Sequence, residues 1–250
     1  MTIDYPLQSQ TEALRALWKE AFGDEDAFLD IFYTHGFNYD RCRCITDSGK
    51  LMAALYWFDC ILDCRPVAYL YAVATDKHHR GKGLCRTLLE NTHHHLKYLG
   101  YDGCVLVPGD EGLARMYEKM GYTSCTCVRE FSCEAASEPV ALRRIDAEEY
   151  CRLRRQFLPK RGIIQEGDNI TFLQNIARFY AGEDFLAAVS RDEPSHIAEL
   201  LGNSDAAPGI LTALHLAKGR FRAPGEEKAF AMYYPMSDLP APDYFGLAFD

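Results

Sequence analysis

The chain has 250 residues, enough to bury a sizeable core as one large domain or two modest ones. Its composition, 48% apolar, 25% charged and 12% aromatic, is that of an ordinary folded globular protein and excludes a disordered or fibrous chain. The net charge of −9 is spread evenly, 14 Lys+Arg against 19 Asp+Glu in residues 1–134 and 13 against 17 in the remainder, and no Lys/Arg run offers the basic face that a nucleic-acid partner needs.

In chain order, residues 11–22 place Leu14, Leu17 and Ala21 on one helical face, and Phe28, Ile31 and Phe32 continue in a second helical stretch. Leu51 to Phe58 and Val67 to Thr75 read as strands separated by Asp63-Cys64-Arg65-Pro66. A polar loop and a glycine turn lead into a helix from about Gly81 to Leu99, with Leu84, Leu88, Leu89 and Leu96 at helical spacing. Gly103 to Val107 is a short strand, predicted parallel to the preceding one through a right-handed crossover. A helix over about Asp110 to Met120 and a strand from Tyr122 to Phe131 complete a β-α-β-α-β order. Ser137-Glu138-Pro139 suggests a junction. Beyond it the pattern predicts a short strand from Val140, helices at Ala147–Phe157 and Phe172–Tyr180, strands at Phe185–Ser190 and Ile197–Leu201, and a helix after Pro208. A proline-rich loop, 235–242, precedes a final strand, Tyr244–Phe249.

Residues 1–10 contain Asp4 and Pro6 and lack the basic-then-apolar order of a signal peptide, and nowhere do 18 apolar residues run together. A cytoplasmic location with no membrane partner is therefore expected. The ten cysteines form no C-x-x-C pair and are expected as free thiols. His93-His94-His95 diverge by about 100° each on a helix and cannot converge on one ion, so no metal is expected and the run reads as surface.

Arg80-Gly81-Lys82-Gly83-Leu84-Cys85, opening a helix, has the makings of a phosphate site. Glycines let the main chain approach an anion, and the amides of the first helical turn point at it with the positive end of the helix dipole. There is no Gly-x-x-x-x-Gly-Lys-Ser/Thr, and position 86 is Arg where a dinucleotide fingerprint needs glycine. The run from Val73 to Cys85 resembles motif A of the GNAT (GCN5-related N-acetyltransferase) superfamily, R/Q-x-x-G-x-G/A, with Arg80, Gly83 and Cys85 at the defined positions. Cys85 replaces the usual Gly or Ala, and Lys77 stands where proline is common. Leu113 to Tyr122 resembles motif B, with Tyr117 four residues before Gly121-Tyr122, and Asp110 stands where the family often has Asn.

The resemblance implies an α/β (α+β) GNAT fold, a mixed central sheet flanked by helices, with residues 1–136 as the acetyl-coenzyme A binding catalytic domain. Residues 139–250 weakly resemble the degenerate second half of tandem GNAT-like proteins, a smaller α/β domain lining the acceptor cleft; residues 1–135 are then expected to bind coenzyme A unaided. The implied reaction is direct attack of a primary amine, on a small molecule or a peptide or protein, on acetyl-coenzyme A in a ternary complex. Val73, Ala74, Thr75, Arg80, Gly81, Lys82, Gly83, Leu84, Cys85 and Asp110 would contact the cofactor, and Tyr117 would protonate the departing thiolate. Asp59, Asp63 or a water chain would take the amine proton. The alternative function is a non-catalytic coenzyme A binding or sensing protein.

Overall fold

The structure is a computed structural model that describes residues 1–248. After β1 (Thr2–Asp4), two amphipathic helices, α1 (Thr11–Phe22) and α2 (Asp26–His35), bury Leu14, Leu17, Trp18, Leu29 and Phe32. Gly23, at φ 78°, closes α1 by donating to the Lys19 carbonyl at 2.9 Å. Strands β2 (Cys42–Asp47), β3 (Lys50–Leu62) and β4 (Arg65–Thr75) then form an antiparallel meander. β3 is covered on both faces, Leu55 and Trp57 packing in one cluster and Tyr56 and Phe58 in another, so it reads as a continuous apolar run rather than an alternating one. The crossover helix α3 (Leu84–Tyr98) lays Leu84, Leu88, Leu89 and Leu96 against the sheet and delivers β5 (Gly103–Leu106) parallel to β4, as the spacing predicts. Helix α4 (Glu111–Glu118) and β6 (Thr123–Ser124) follow.

From here the chain leaves the first sheet. The expected strand Tyr122–Phe131 is divided: β6 ends at Ser124, and β7 (Cys127–Glu134) joins a second sheet. That sheet is completed by β8 (Arg143–Ile145) and, after α5 (Ala147–Phe157), β9 (Ile164–Gln165) and α6 (Asp168–Ile176), by β10 (Ala177–Ala181), β11 (Phe185–Ser190) and β12 (His196–Gly202). Helix α7 (Ala207–Ala213) precedes β13 (Lys218–Pro224), β14 (Lys228–Ala229) and β15 (Met232–Pro235). The expected helix Phe172–Tyr180 is thus an earlier helix followed by a strand whose residues alternate between buried and half-buried.

Among the described residues the first sheet runs β1-β2-β3-β4-β5-β15-β6, with β9 added at β3, and the second runs β14-β7-β13-β12-β11-β10-β8. Each sheet therefore holds strands from both sides of the 136/139 junction. β15 lies between β5 and β6, while β7 lies between β14 and β13. The predicted final strand, Tyr244–Phe249, is not a strand where it is described. Tyr244 makes one bridge to Gly162, and the carbonyls of Gly246, Leu247 and Ala248 accept from the side chains of Arg222 and Gln165 instead of a neighbouring strand; Phe249 lies outside the described residues. Phe245 and Leu247 are fully buried in the largest apolar cluster, which joins residues of the two sheets and packs the Phe245 ring 4.8 Å from Tyr69. No helix among the described residues is long and apolar enough to cross a membrane.

Candidate active site

β4 is bent by a bulge. Its pairing with β3 shifts between Ala54, opposite Ala74, and Tyr56, opposite Tyr71, so that Ala72 and Val73 together face Leu55, and Ala72 takes a positive φ of 48°. On the other side, the parallel ladder to β5 stops at Tyr69 and Val105 while β4 runs on to Thr75. The two strands part, and the end of β4 is left without a partner on that edge. A cavity of about 530 Å³ fills the gap, lined by Tyr69 to Val73 of β4, by Leu106, Val107 and Gly109 after the ladder, and by Leu113 and Tyr117 of α4. It extends to the α1–α2 corner, through Trp18, Phe22, Asp24 and Phe28, and to the β11–β12 hairpin of the second sheet, through Ser190, Asp192, Glu193 and His196.

At the end of β4 the glycine loop turns into α3. Gly81 and Gly83 have φ of 73° and 78°, a left-handed conformation that other residues adopt at a cost, and a Cβ built on either would meet nothing of the protein within 4 Å. The space in front of the loop's main chain is therefore open. No side chain caps the helix at Gly83, so its leading amides are free to face an anion. Arg80 Nε donates to the Thr75 carbonyl at 3.0 Å and Lys82 Nζ to the His78 carbonyl at 3.1 Å, holding the loop with two cationic groups on its exposed side. Asp76 accepts from the His78 amide and pairs with His79 Nδ1 at 2.6 Å, which holds its carboxyl below the usual carboxylate range. Leu84 turns inward, and Cys85 packs half-buried against the same cluster as Tyr117, its thiol pushed up to about 11 by burial. The thiol that replaces Gly or Ala is therefore part of the helix-to-sheet packing.

Tyr117 is 5% exposed, and burial, with the Cys85 thiol as a lesser cause, pushes its phenol well above the ordinary value. Its hydroxyl has no hydrogen-bond partner among the described residues. It is a protonated donor at the wall of a cavity, available to whatever enters. Ala74 is buried, and Val73 lines the cavity. Asp110 is placed otherwise: its carboxylate accepts from the Leu113 amide at 2.7 Å and caps α4, outside this cavity.

Asp59 and Asp63 do not line the cavity. Asp59 pairs with Arg41 at 2.5 Å and accepts from the Tyr101 hydroxyl, and Asp63 lies 3.8 Å from Arg161. The titratable groups that do face the cavity, Asp24, Asp192, Glu193 and His196, were not singled out by sequence. Asp24 lies between α1 and α2 and Asp192-Glu193 between β11 and β12, and only folding brings the two loops together. Neither is the triple histidine simply surface: His93 is buried, bonded to the Tyr122 hydroxyl at 2.7 Å, while His95 Nε2 meets the Tyr5 hydroxyl at 2.5 Å. Among the described residues no group of three or more His, Cys, Asp or Glu is arranged to hold a metal ion.

A parted pair of parallel strands, followed by a glycine loop that opens a helix, is an opening of the class that takes phosphate-bearing ligands. Residues 3–125 match the model of the acetyltransferase (GNAT) domain family, and the chain carries a domain of that family. Solved structures resemble almost the whole chain. A GCN5-related N-acetyltransferase from Kribbella flavida is 16% identical, covering 93% of this chain and 71% of its own, with a TM-score of 0.69. Eis1 from Mycobacterium abscessus is 11% identical over 94% and 74%, with a TM-score of 0.70. A GCN5-related N-acetyltransferase from Anabaena variabilis is 16% identical over 93% and 72%, with a TM-score of 0.69. At these identities the likeness is one of fold, and it takes in both sheets. No curated protein matches the sequence significantly.

Proposed function

We propose that the chain is an N-acetyltransferase that moves the acetyl group of acetyl-coenzyme A to a primary amine by direct attack, both substrates being bound at once. The observation that carries this reading is that the unpartnered edge of β4 and the unbonded hydroxyl of Tyr117 border one cavity, and that β4 leads through the glycine loop into the uncapped start of α3. Acetyl-coenzyme A supplies an acyl group activated as a thioester. Gly81 to Cys85 hold its pyrophosphate, with Arg80 and Lys82 adding charge, and Val73, Ala74 and Thr75 offer main-chain amides to the acetyl oxygen and the pantetheine arm. Tyr117 delivers its proton to the sulfur as the thiolate leaves. Burial keeps the phenol protonated, so its proton is in place when the thiolate forms. The part of Asp110 is to fix the start of α4, and so the position of Tyr117, through its cap. The second sheet contributes the β11–β12 hairpin to the acceptor side.

Tyr117→Phe keeps the ring and removes the hydroxyl alone. General acid catalysis is worth about 10²- to 10⁴-fold, so kcat should fall within that range while acetyl-coenzyme A affinity, measured by calorimetry, stays nearly constant. A variant that turns over at the parent rate would remove Tyr117 from the chemistry. A parent protein that binds acetyl-coenzyme A yet releases no thiol with any amine would replace the transferase with a coenzyme A sensor.

A further inference from the structure

The acceptor side of the cavity has a consistent chemical character. Its aromatic members are Trp18, Phe22, Phe28 and Tyr71, and its charged members are Asp24, Asp192 and Glu193; among the described residues no Lys or Arg lines it. The carboxylates differ in what they already hold. Glu193 faces Arg220 at 3.4 Å and is offset by it. Asp24 accepts only the neutral Trp18 indole N–H, at 2.7 Å, with no cation paired to it among the described residues; the side chain of Asp192 has no partner among the described residues. Two uncompensated carboxylates thus border an aromatic wall, one from each sheet's loops.

Resting on the acetyltransferase reading, we propose that the acceptor is a small cationic amine carried on a flat apolar body and bearing no carboxylate of its own, selected by Asp24 and Asp192 together with the aromatic wall. The ammonium group finds opposite charge at Asp24 and Asp192 and ring faces beside it. The flat body covers Phe22, Phe28 and Tyr71, which Trp18 backs from within the core. An α-amino acid brings a carboxylate to the same two aspartates with no cation to offset it. A peptide N-terminus lays a run of backbone amides against the Phe22 and Phe28 rings, which offer none of them a partner, the neutral polar groups of the lining being Tyr69, Tyr71, Ser190 and His196. Only the small apolar amine matches both charge and surface. The ammonium loses one proton to water to become the nucleophile; the new C–N bond replaces the C–S bond, the thiolate takes the proton of Tyr117, and the second nitrogen proton passes to the phenolate and restores it, leaving amide and free thiol.

The test is equilibrium binding to the full chain saturated with coenzyme A, where no turnover intervenes. The probes are 2-phenylethylamine, phenylalanine (the same body with a carboxylate), 2-phenylethanol (no charge) and ethylamine (no ring). The amine should bind at least tenfold more tightly than each of the others. In Asp24→Asn and Asp192→Asn, which keep the side-chain shape, its affinity should fall about two- to fivefold each, the scale of an ion pair open to solvent. The margin over 2-phenylethanol should shrink with it. Equal binding of phenylalanine and 2-phenylethylamine, or an unchanged margin in the doubly substituted protein, overturns the proposal. Thiol release from acetyl-coenzyme A, followed separately, distinguishes the two readings. Release with amino acids or ethylamine as readily as with the aromatic amine overturns the acceptor class and leaves the transferase standing. Selective binding without release supports the acceptor class and removes the transferase.

Discussion

His93 illustrates how one side chain couples the glycine-loop helix to a distant strand. It projects from α3 with its ring stacked on Tyr234, centroids 4.0 Å apart, and Nε2 2.7 Å from the Tyr122 hydroxyl, which also lies 3.3 Å from the Cys104 thiol. Burial, with neighbouring His94 as a lesser cause, lowers its pKa to about 4 from 6.5. The folded state thus prefers the neutral ring. The contribution is fully present above the unfolded value and is lost as pH falls from about 6.5 through 4, amounting to at most about 3 kcal/mol. His196, lowered to about 4 by burial and by Arg220 and Arg222, acts in the same direction and window. The thermal midpoint should therefore drop between pH 6.5 and 4. His93→Gln, which keeps an acceptor for Tyr122, should be less sensitive to acid there; parallel pH profiles for parent and variant would show that His93 does not titrate with folding.

At the scale of elements, the exchange of strands decides what can fold alone. β15 supplies the far partner of β5, with Met232 opposite Leu106 and Pro235 opposite Gly103, and it also pairs with β6. The fit is close. A Cβ at Gly103 would lie 2.2 Å from the Tyr233 hydroxyl, so this glycine is required for the strands to pack. A fragment of residues 1–135 would open the first sheet at β5, strip β6 of its partner and leave β7 without a sheet. We expect it to be unfolded or aggregated and without coenzyme A affinity, in place of the independent binding expected from sequence. Circular dichroism and calorimetry decide the matter: a fragment with parent-like affinity would make β15 dispensable.

Across the whole molecule, the interior is held by a buried ion pair as well as by apolar packing. Arg154 of α5 and Glu199 of β12 meet at 2.7 Å with side chains 2% and 0% exposed, and the hydroxyls of Tyr150 and Tyr244 also bond to Glu199, at 2.7 and 3.1 Å. Arg154 further donates to the Ile163 carbonyl and to Gln165, next to the strand that touches β3. Removing one partner strands the other charge, so Arg154→Met or Glu199→Leu should each cost about 3–5 kcal/mol in urea unfolding, and the double substitution less than their sum. Additive losses would mean that the two groups act independently.

Local chemistry in the chain was enough to place α5 at Ala147–Phe157, β11 at Phe185–Ser190, the glycine loop and the two family motifs. Apolar spacing, turn residues and a helix start are properties of neighbouring residues. Pairing is not. The sequence near Cys127 does not say that its strand belongs with β13, nor that near Met232 that it lies between β5 and β6, because each partner is remote and the ladder is satisfied only after collapse. The glycine loop after β4 and the place of Tyr117 on the following helix were legible for the first reason. The far wall of the cavity, where Trp18 and Asp24 meet Asp192 and His196, was decided by tertiary structure alone, since loops about 170 residues apart become neighbours only when the two sheets share strands.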